Sequence, residues 1–386
     1  PAARKVFQII LQKNPKDAGA WYYLGEMAYH DEKSDSAAWF YNKAREANPD
    51  SYFAHVGNGT IQLDKNMKSE ADKSFGKALR AAGDKEKAFV HSLIGEAYLT
   101  SRFPNYDKAI QAFTEARDLD TKNAKAFVQL GDAYLAKGQV GDALSSYELA
   151  SNKDKNNPEI LMKIARAYYK NNISDVATEQ LEGVIQLFPD YAPAYKDLYQ
   201  IYFAKGQFSK VTPLLEKYVS LVGNDVEQRA RLVKFLTFQA KDYKRAIQEA
   251  YTVLEQDPHY YPMHRWLAWA YFEEGDFQKS FEMSGLFFKH AGNRPIYASD
   301  YEYYAKAASK IGNVEAAVTN YKKVLELDST RTEVHDFIAK AYYENKNWQE
   351  AEKAYVTKIA SGKTTNQDWY YLGMAQYQQN KNAEAD

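Results

Sequence analysis

The chain contains no cysteine, which excludes disulfide bonds, thiolate zinc sites and cysteine nucleophiles. It also lacks any run of about 18 consecutive apolar residues, so we predict no membrane span. Neither sign of charge is in excess, because 50 Lys and Arg face 51 Asp and Glu. Proteins that bind nucleic acid usually carry a basic excess, and we therefore expect no nucleic-acid partner.

The composition of the 386 residues is otherwise that of a folded protein, with 45% hydrophobic and 26% charged residues. The exception is tyrosine, which occurs 32 times. So many large aromatic residues indicate one packing position that is used repeatedly.

The sequence is periodic over its whole length. The segment Trp21-Tyr22-Tyr23-Leu24-Gly25 recurs as Trp369-Tyr370-Tyr371-Leu372-Gly373, with copies between them at intervals of 34 to 37 residues. The units begin near Ala18, Tyr52, Ala88, Ala124, Pro158, Ala192, Val226, Tyr261, Ala298, Thr332 and Asn366. A period near 34 residues is typical of a repeated helix-turn-helix.

Small residues recur at two fixed points of each unit. Position eight reads Gly25, Gly59, Gly95, Gly131, Ala165, Tyr199, Val233, Ala268, Ala305, Ala339 and Gly373. A second small residue opens the second helix, as in Ala37, Ala109 and Ala143. We interpret both as points where two helices approach closely, not as sites of chemistry.

This pattern resembles the tetratricopeptide repeat family over essentially the whole chain. The unit at Ala124 shows it well, with Phe127, Leu130-Gly131, Tyr134, Ala143, Tyr147 and Ala150. The resemblance implies an all-α, right-handed superhelical solenoid of about eleven helix-turn-helix units.

The units fall into four segments. Residues 1–17 are predicted to be the second helix of a truncated first repeat, and 18–191 regular units. Residues 192–297 are degenerate units, with Tyr199 and Val233 at the small position and a candidate joint at 291–295. Residues 298–386 are further units ending in a truncated repeat. Neither end has the polar cap of a terminal unit, so we expect a stretch of a longer protein.

No motif indicates catalysis. Gly362-Lys363-Thr364 is similar to the end of a phosphate-binding loop, but Thr357 stands where that loop requires glycine. His55, His91, His264 and His335 occupy a position that is aromatic in other units, and we interpret them as packed rings. We therefore predict no catalytic residue, no cofactor and no metal.

In the family, ligands usually lie along the concave surface that the first helices form. Positions two, five, nine and twelve of a unit share one face of that helix. In the N-terminal units this stripe is apolar with an acidic row, and further along it becomes basic and aromatic. The predicted partner-binding residues are Arg166, Lys196, Arg231, Lys234, Arg265, Trp269, Phe272 and Lys306.

Such a basic groove suits an acidic or carboxylate-ended peptide, because arginine pairs with carboxylates and stacks on rings. The alternative interpretation is that these charges form an ordinary solvated face. Position nine carries no asparagine, which argues against binding of the acidic tail of heat-shock chaperones.

We therefore expect a non-catalytic scaffold that binds a protein or peptide, acidic in character, along the groove. Two alternatives stay open. One is a structural, self-associating brace of a cell-envelope complex, and the other is a substrate-selecting arm of a larger enzyme. The richness in Tyr, Lys and Asn without Cys is typical of a bacterial protein. We expect it in the cell envelope or periplasm, with a cytoplasmic location as the alternative.

Overall fold

A computed structural model describes residues 2–31, 34–223, 225–360, 362 and 364–380. Over these residues the chain is all-helical. The helices are α1 (Ala2–Lys13), α2 (Ala18–His30), α3 (Ser34–Ala47), α4 (Tyr52–Asp64), α5 (Lys68–Ala81), α6 (Lys87–Thr100), α7 (Tyr106–Leu119), α8 (Ala124–Lys137), α9 (Val140–Lys153), α10 (Pro158–Lys170), α11 (Ser174–Leu187), α12 (Ala192–Ala204), α13 (Phe208–Leu221), α14 (Val226–Phe235), α15 (Tyr243–Gln256), α16 (Pro262–Glu273), α17 (Phe277–His290), α18 (Ala298–Lys310), α19 (Val314–Leu327), α20 (Val334–Glu344), α21 (Trp348–Ala360) and α22 (Asn366–Tyr377). A π-helical segment, Leu236–Ala240, continues α14.

The helices follow one another as pairs. Each even-numbered helix, from α2 to α22, begins within two residues of a predicted unit start, and an odd-numbered helix follows all but the last of them. The prediction of an all-α repeat of about eleven helix-turn-helix units is thereby confirmed. The chain divides into two compact units, Pro1–Ala194 and Tyr195–Asp386.

Polar residues at the turns fix where the helices begin. The side chain of Asp17 accepts a hydrogen bond from the backbone N–H of Ala20, and that of Asn123 accepts one from Lys125. These bonds satisfy N–H groups that the first turn of a helix leaves without a partner. Gly138 ends α8 with φ of +86°, a conformation that glycine adopts without strain.

In four helix pairs of the first unit, an aromatic ring on the second helix packs against a glycine on the first. A Cβ atom on Gly25 would lie 2.5 Å from Cε1 of Tyr41, so only glycine admits this ring. The Tyr41 ring is fully buried. The same contact joins Gly59 to Phe75, Gly95 to Phe113 and Gly131 to Tyr147. This repeated contact accounts for part of the tyrosine content.

Two sequence features fall at the limit of the described residues. Gly362 lies in a turn after α21 with φ of +80°, whereas Lys363 of the phosphate-loop-like motif is outside the described residues. Residues 381–386, the end of the predicted truncated last repeat, are also outside them. None of the helices described above has both the length and the apolar character that a bilayer crossing requires.

Candidate binding surface

The first helices of neighbouring pairs contact one another directly in each compact unit. In the first unit α2 contacts α4, α4 contacts α6 and α6 contacts α8; in the second, α14 contacts α16 and α16 contacts α18. At the start of the first unit this contact covers much of the predicted stripe, because Tyr22, Val56, Thr60 and Leu63 are buried. These residues build the core and are not open to a partner.

The acidic row of the first unit is bonded within the chain. The hydroxyl of Tyr41 donates to Glu26 Oε1 at 2.6 Å, and the amide of Gln129 donates to Glu96 Oε2 at 2.9 Å. Burial raises the pKa of Glu26, although hydrogen bonds from Tyr41 and Tyr22 oppose the shift. The row therefore acts in packing both within a repeat and between repeats.

Asp132, the third member of the row, is bonded in the same way. It accepts hydrogen bonds from Tyr147 at 2.7 Å and from Lys163 at 2.7 Å. Desolvation and the neighbouring Asp132 charge raise the pKa of the Tyr147 hydroxyl. This phenol therefore stays protonated and remains a hydrogen-bond donor.

Arg265, at the centre of the predicted groove, is held by the joint between α17 and α18. Its Nε lies 2.8 Å from Asp300 Oδ1, and its Nη2 donates to the carbonyl of Pro295 at 2.6 Å. The guanidinium also lies over the ring of Phe287, 4.4 Å from its centroid. Since the side chain of Asp300 is only 2% exposed, this pair is largely buried.

Two further cations of the groove are paired with carboxylates on their own helices. Lys306 Nζ lies 2.5 Å from Glu302 Oε1, and Lys340 Nζ lies 2.8 Å from Asp336 Oδ2, both one helical turn earlier. Glu302 also accepts a hydrogen bond from Arg331 at 2.7 Å. Burial raises the pKa of Glu302, but the hydrogen bonds from Arg331 and Lys306 outweigh it and hold the pKa below its usual range.

The remaining predicted groove cations of the second unit form what we call the basic stretch: Lys196 on α12, and Arg231 and Lys234 on α14. Arg231 and Lys234 are exposed and Lys196 is half-buried. Within the described part of the chain, the structure shows no carboxylate paired with any of the three. Arg166, also predicted, is exposed on α10 in the first unit.

The predicted aromatic residues of the groove lie together between α16, α18 and the π-helical segment. The ring of Trp269 stacks on Tyr303, with centroids 4.3 Å apart, and meets the edge of Phe238 at 4.8 Å. Phe272 contacts the same tyrosine at 5.4 Å. The hydroxyl of Tyr303 donates to Glu273 at 2.9 Å, which fixes its ring in place.

A cavity beside the basic stretch was not predicted. It has a volume of about 360 Å³ and lies between α12, α13 and α14; we call it the α12–α14 pocket. Its lining residues are Tyr199, Gln200, Phe203, Val211, Leu215, Arg231 and Phe235. The sequence did carry a signal for it, since Tyr199 stands at a position that is glycine or alanine in most units.

Four family models, all described as tetratricopeptide repeat, match the chain. The matched residues are 105–167 and 237–280, 1–52, 304–331, and 159–191. One similar solved structure is that of YrrB, described as a TPR protein with an unusual peptide-binding site. It is 23% identical, with a TM-score of 0.31, and the match covers 49% of this chain and 95% of YrrB. Another is the C-terminal part of a TPR protein from Cytophaga hutchinsonii, which is 16% identical with a TM-score of 0.47. The match covers 64% of this chain and 98% of that one.

Curated relatives are similar over parts of their length. The TPR repeat-containing protein YpiA of Bacillus subtilis is 22% identical over 231 residues, which are 60% of this chain and 45% of that protein. RNA polymerase II-associated protein 3 of Xenopus tropicalis is 24% identical over 224 residues, 58% and 31% of the two chains. The chain thus spans less than half the length of these relatives.

Proposed function

The chain belongs to the tetratricopeptide repeat family, and on that premise we propose that it is a non-catalytic scaffold that binds an acidic peptide or an acidic segment of a protein. The observation that carries this proposal is the basic stretch. Arg265, Lys306 and Lys340 have carboxylate partners within the chain, whereas Lys196, Arg231 and Lys234 have none among the described residues.

The chemistry of the basic stretch favours carboxylates over other ligands. A guanidinium binds a carboxylate through two parallel hydrogen bonds, and such charge-assisted bonds are stronger than neutral ones. Exposed aromatic surface beside the cations adds apolar contact area, as at many protein interfaces. Phe203 on α12 is exposed, and the half-buried Trp269 and Phe272 on α16 contribute the accessible part of their rings.

The predicted site residues take different parts in this proposal. Arg231, Lys234 and Lys196 contact the carboxylates of the ligand directly, and Trp269 and Phe272 contact its apolar groups. Arg265 and Lys306, each already held by a carboxylate, position the surface on which the ligand lies. Arg166 is a separate contact on the first unit.

Fluorescence anisotropy tests the proposal with a fluorescein-labelled peptide rich in Asp and Glu and with its Asn/Gln counterpart. We expect the wild type to bind the acidic peptide and the double variant Arg231→Glu/Lys234→Glu to bind it at least about tenfold more weakly. The control Lys244→Glu/Lys322→Glu changes the net charge equally at exposed positions on second helices. Equal binding of both peptides by the wild type, or equal loss in both double variants, would contradict the proposal.

Static light scattering over a range of concentrations separates this function from self-assembly. A scaffold that binds a peptide keeps its mass without a ligand. A mass that rises with concentration and is insensitive to Arg231→Glu would favour the structural alternative instead.

A further inference from the structure

We propose that the α12–α14 pocket is an anchor site that takes one phenylalanine-sized apolar side chain of an acidic ligand, whose carboxylates pair with Arg231 and its neighbours. This inference rests on the proposed function and deepens it, because it adds a requirement for a particular apolar residue to the requirement for negative charge.

The pocket lies in a helix pair that lacks the glycine–ring contact of the regular pairs. In those pairs a ring on the second helix, four residues after its small residue, lies against a glycine, as Tyr147 lies against Gly131. In the α12/α13 pair, Tyr199 replaces the glycine and Leu215 replaces the ring. Tyr199 lies instead beside Tyr218, with ring centroids 5.8 Å apart. Leucine does not fill the place of a ring, and the space stays open.

Irregular backbone on both sides of the pocket is consistent with this opening. Pro213 lies inside α13, where it removes a backbone donor and disfavours regular helix geometry. The π-helical segment Leu236–Ala240 begins directly after Phe235 of the pocket wall. Such π-helical segments occur frequently at functional sites.

The wall of the pocket is aromatic and partly exposed. Phe203 and Phe235 of the lining contact each other with ring centroids 6.1 Å apart, and both contact Phe208 behind them at 5.6 and 6.0 Å. Phe203 is nevertheless 46% exposed, which is unusual for a large apolar side chain within such a cluster. A volume of about 360 Å³ is at the lower end of the range for ligand pockets, about 300 to 1,000 Å³. It therefore suits one side chain and not a bulkier ligand.

The charges around the pocket specify the sign of the ligand. Arg231 and Gln200 are the polar members of its lining, and no carboxylate is among the described lining residues. Arg231 lies one helical turn before Phe235, so its guanidinium and that ring share a face of α14. Lys196 lies one turn before Gln200 on α12. An apolar side chain in the pocket thus places its flanking residues near Arg231, which favours an acidic ligand.

The test compares two fluorescein-labelled acidic peptides that differ only in a central residue, Phe in one and Ala in the other. We expect the wild type to bind the Phe peptide about tenfold more tightly, the effect of burying most of one ring. Equal binding of the two acidic peptides would overturn the anchor pocket while leaving the proposed function intact. Failure to bind either one would overturn both.

A designed variant shows whether the preference arises in this pocket. Tyr199→Gly/Leu215→Tyr restores the glycine–ring contact of the regular pairs, fills the cavity and leaves every cation in place. We expect it to bind both peptides with the affinity that the wild type has for the Ala peptide. A tenfold preference that persists in this variant, with its helical circular dichroism unchanged, would place the anchor elsewhere and overturn the inference.

A second variant covers the case in which the double replacement does not fold. Lys234→Gln is at an exposed position outside the lining of the pocket and leaves the cavity intact. We expect it to weaken both peptides by a similar factor and to keep the preference for Phe. Loss of the Phe preference without loss of charge-driven affinity would contradict the assignment of separate roles to the cation and the pocket.

Discussion

A Cβ atom on Gly131 would lie 2.5 Å from Cε1 of Tyr147, closer than any real Cβ contact. The missing side chain on α8 thus makes room for the ring on α9, and the ring is fully buried. The same contact recurs in four helix pairs of the first unit, at Gly25, Gly59, Gly95 and Gly131. In these pairs one local contact joins the first helix to the second.

Replacement of Gly131 by Ala is therefore expected to destabilise the protein. Overpacking costs about 1–3 kcal/mol, and the higher helix propensity of alanine offsets part of this cost. Gly183 provides the matched control, since it lies inside α11 and a Cβ there would meet nothing within 4 Å. Gly183→Ala should raise the stability by about 0.5–1 kcal/mol. Urea unfolding followed by circular dichroism measures both, and a Gly131→Ala variant as stable as Gly183→Ala would contradict the contact.

The pH dependence of stability should change in the variant Glu26→Gln. Burial raises the folded-state pKa of Glu26 above its unfolded value, so the folded protein prefers the protonated form. Glutamine is neutral and still accepts the hydrogen bond from Tyr41. The variant should be more stable than the wild type at neutral pH, and this gain should disappear as the pH falls through the folded pKa of Glu26.

The variant Glu302→Gln is expected to change the stability in the opposite direction, as a loss at neutral pH. Its pKa is held below the usual range by Arg331 and Lys306 despite burial, so the carboxylate stabilises the folded state. That contribution is complete above the unfolded pKa of about 4.3 and is lost as the pH falls through the folded value. The variant should be less stable than the wild type at neutral pH and equal to it in acid. Urea unfolding midpoints measured from about pH 3 to 7 compare Glu26→Gln and Glu302→Gln with the wild type. A stability change in the same direction in both variants at neutral pH would contradict the opposite pKa shifts of the two residues.

Asp300→Ala should be among the most destabilising changes in the second unit. It removes the partner of Arg265 and also the acceptor for the backbone N–H of Tyr297, a bond of 2.7 Å. Loss of one member of a buried pair costs about 3–5 kcal/mol, and the 20% exposure of Arg265 lowers our expectation to about 2–3 kcal/mol. Glu326→Ala, which breaks an exposed pair with Lys323, should cost less than about 0.5 kcal/mol. Thermal melts of the two variants that coincide would contradict this role for Asp300.

Sequence alone predicts the elements of this chain because their determinants are local. The glycine of the first helix and the ring of the second are separated by sixteen residues in Gly25–Tyr41 and recur in register, so they are visible as a period. The pairing of Arg265 with Asp300 is not visible in this way. It spans 35 residues across an irregular joint, and both side chains look like ordinary surface charges.

Which cations of the predicted groove are paired with a carboxylate among the described residues is likewise visible only in the structure. Lys306 and Lys234 occupy equivalent positions of their units, but only Lys306 has a glutamate one turn before it that is oriented to pair with it. The α12–α14 pocket was also missed. Tyr199 and Leu215 are each visible as departures from the pattern, whereas the space they leave depends on how three helices pack.

Trp269 provides a test of the aromatic half of the binding surface. Its ring stacks on Tyr303 and is half-buried, one helical turn after Arg265, so Trp269→Ala removes contact area proposed for the ligand. We expect about a tenfold loss of affinity for the acidic Phe peptide. Trp39→Ala, at an exposed tryptophan on a second helix of the first unit, should leave the affinity unchanged. Equal affinities of the two variants would exclude Trp269 from the surface.

Binding of the ligand by the basic stretch is tested most directly by amide hydrogen exchange of the whole chain with and without the acidic Phe peptide. We expect slower exchange on binding in α12 and α14, which carry Lys196, Arg231 and Lys234. Protection confined to second helices, or to helices of the first unit such as α2 and α4, would contradict it.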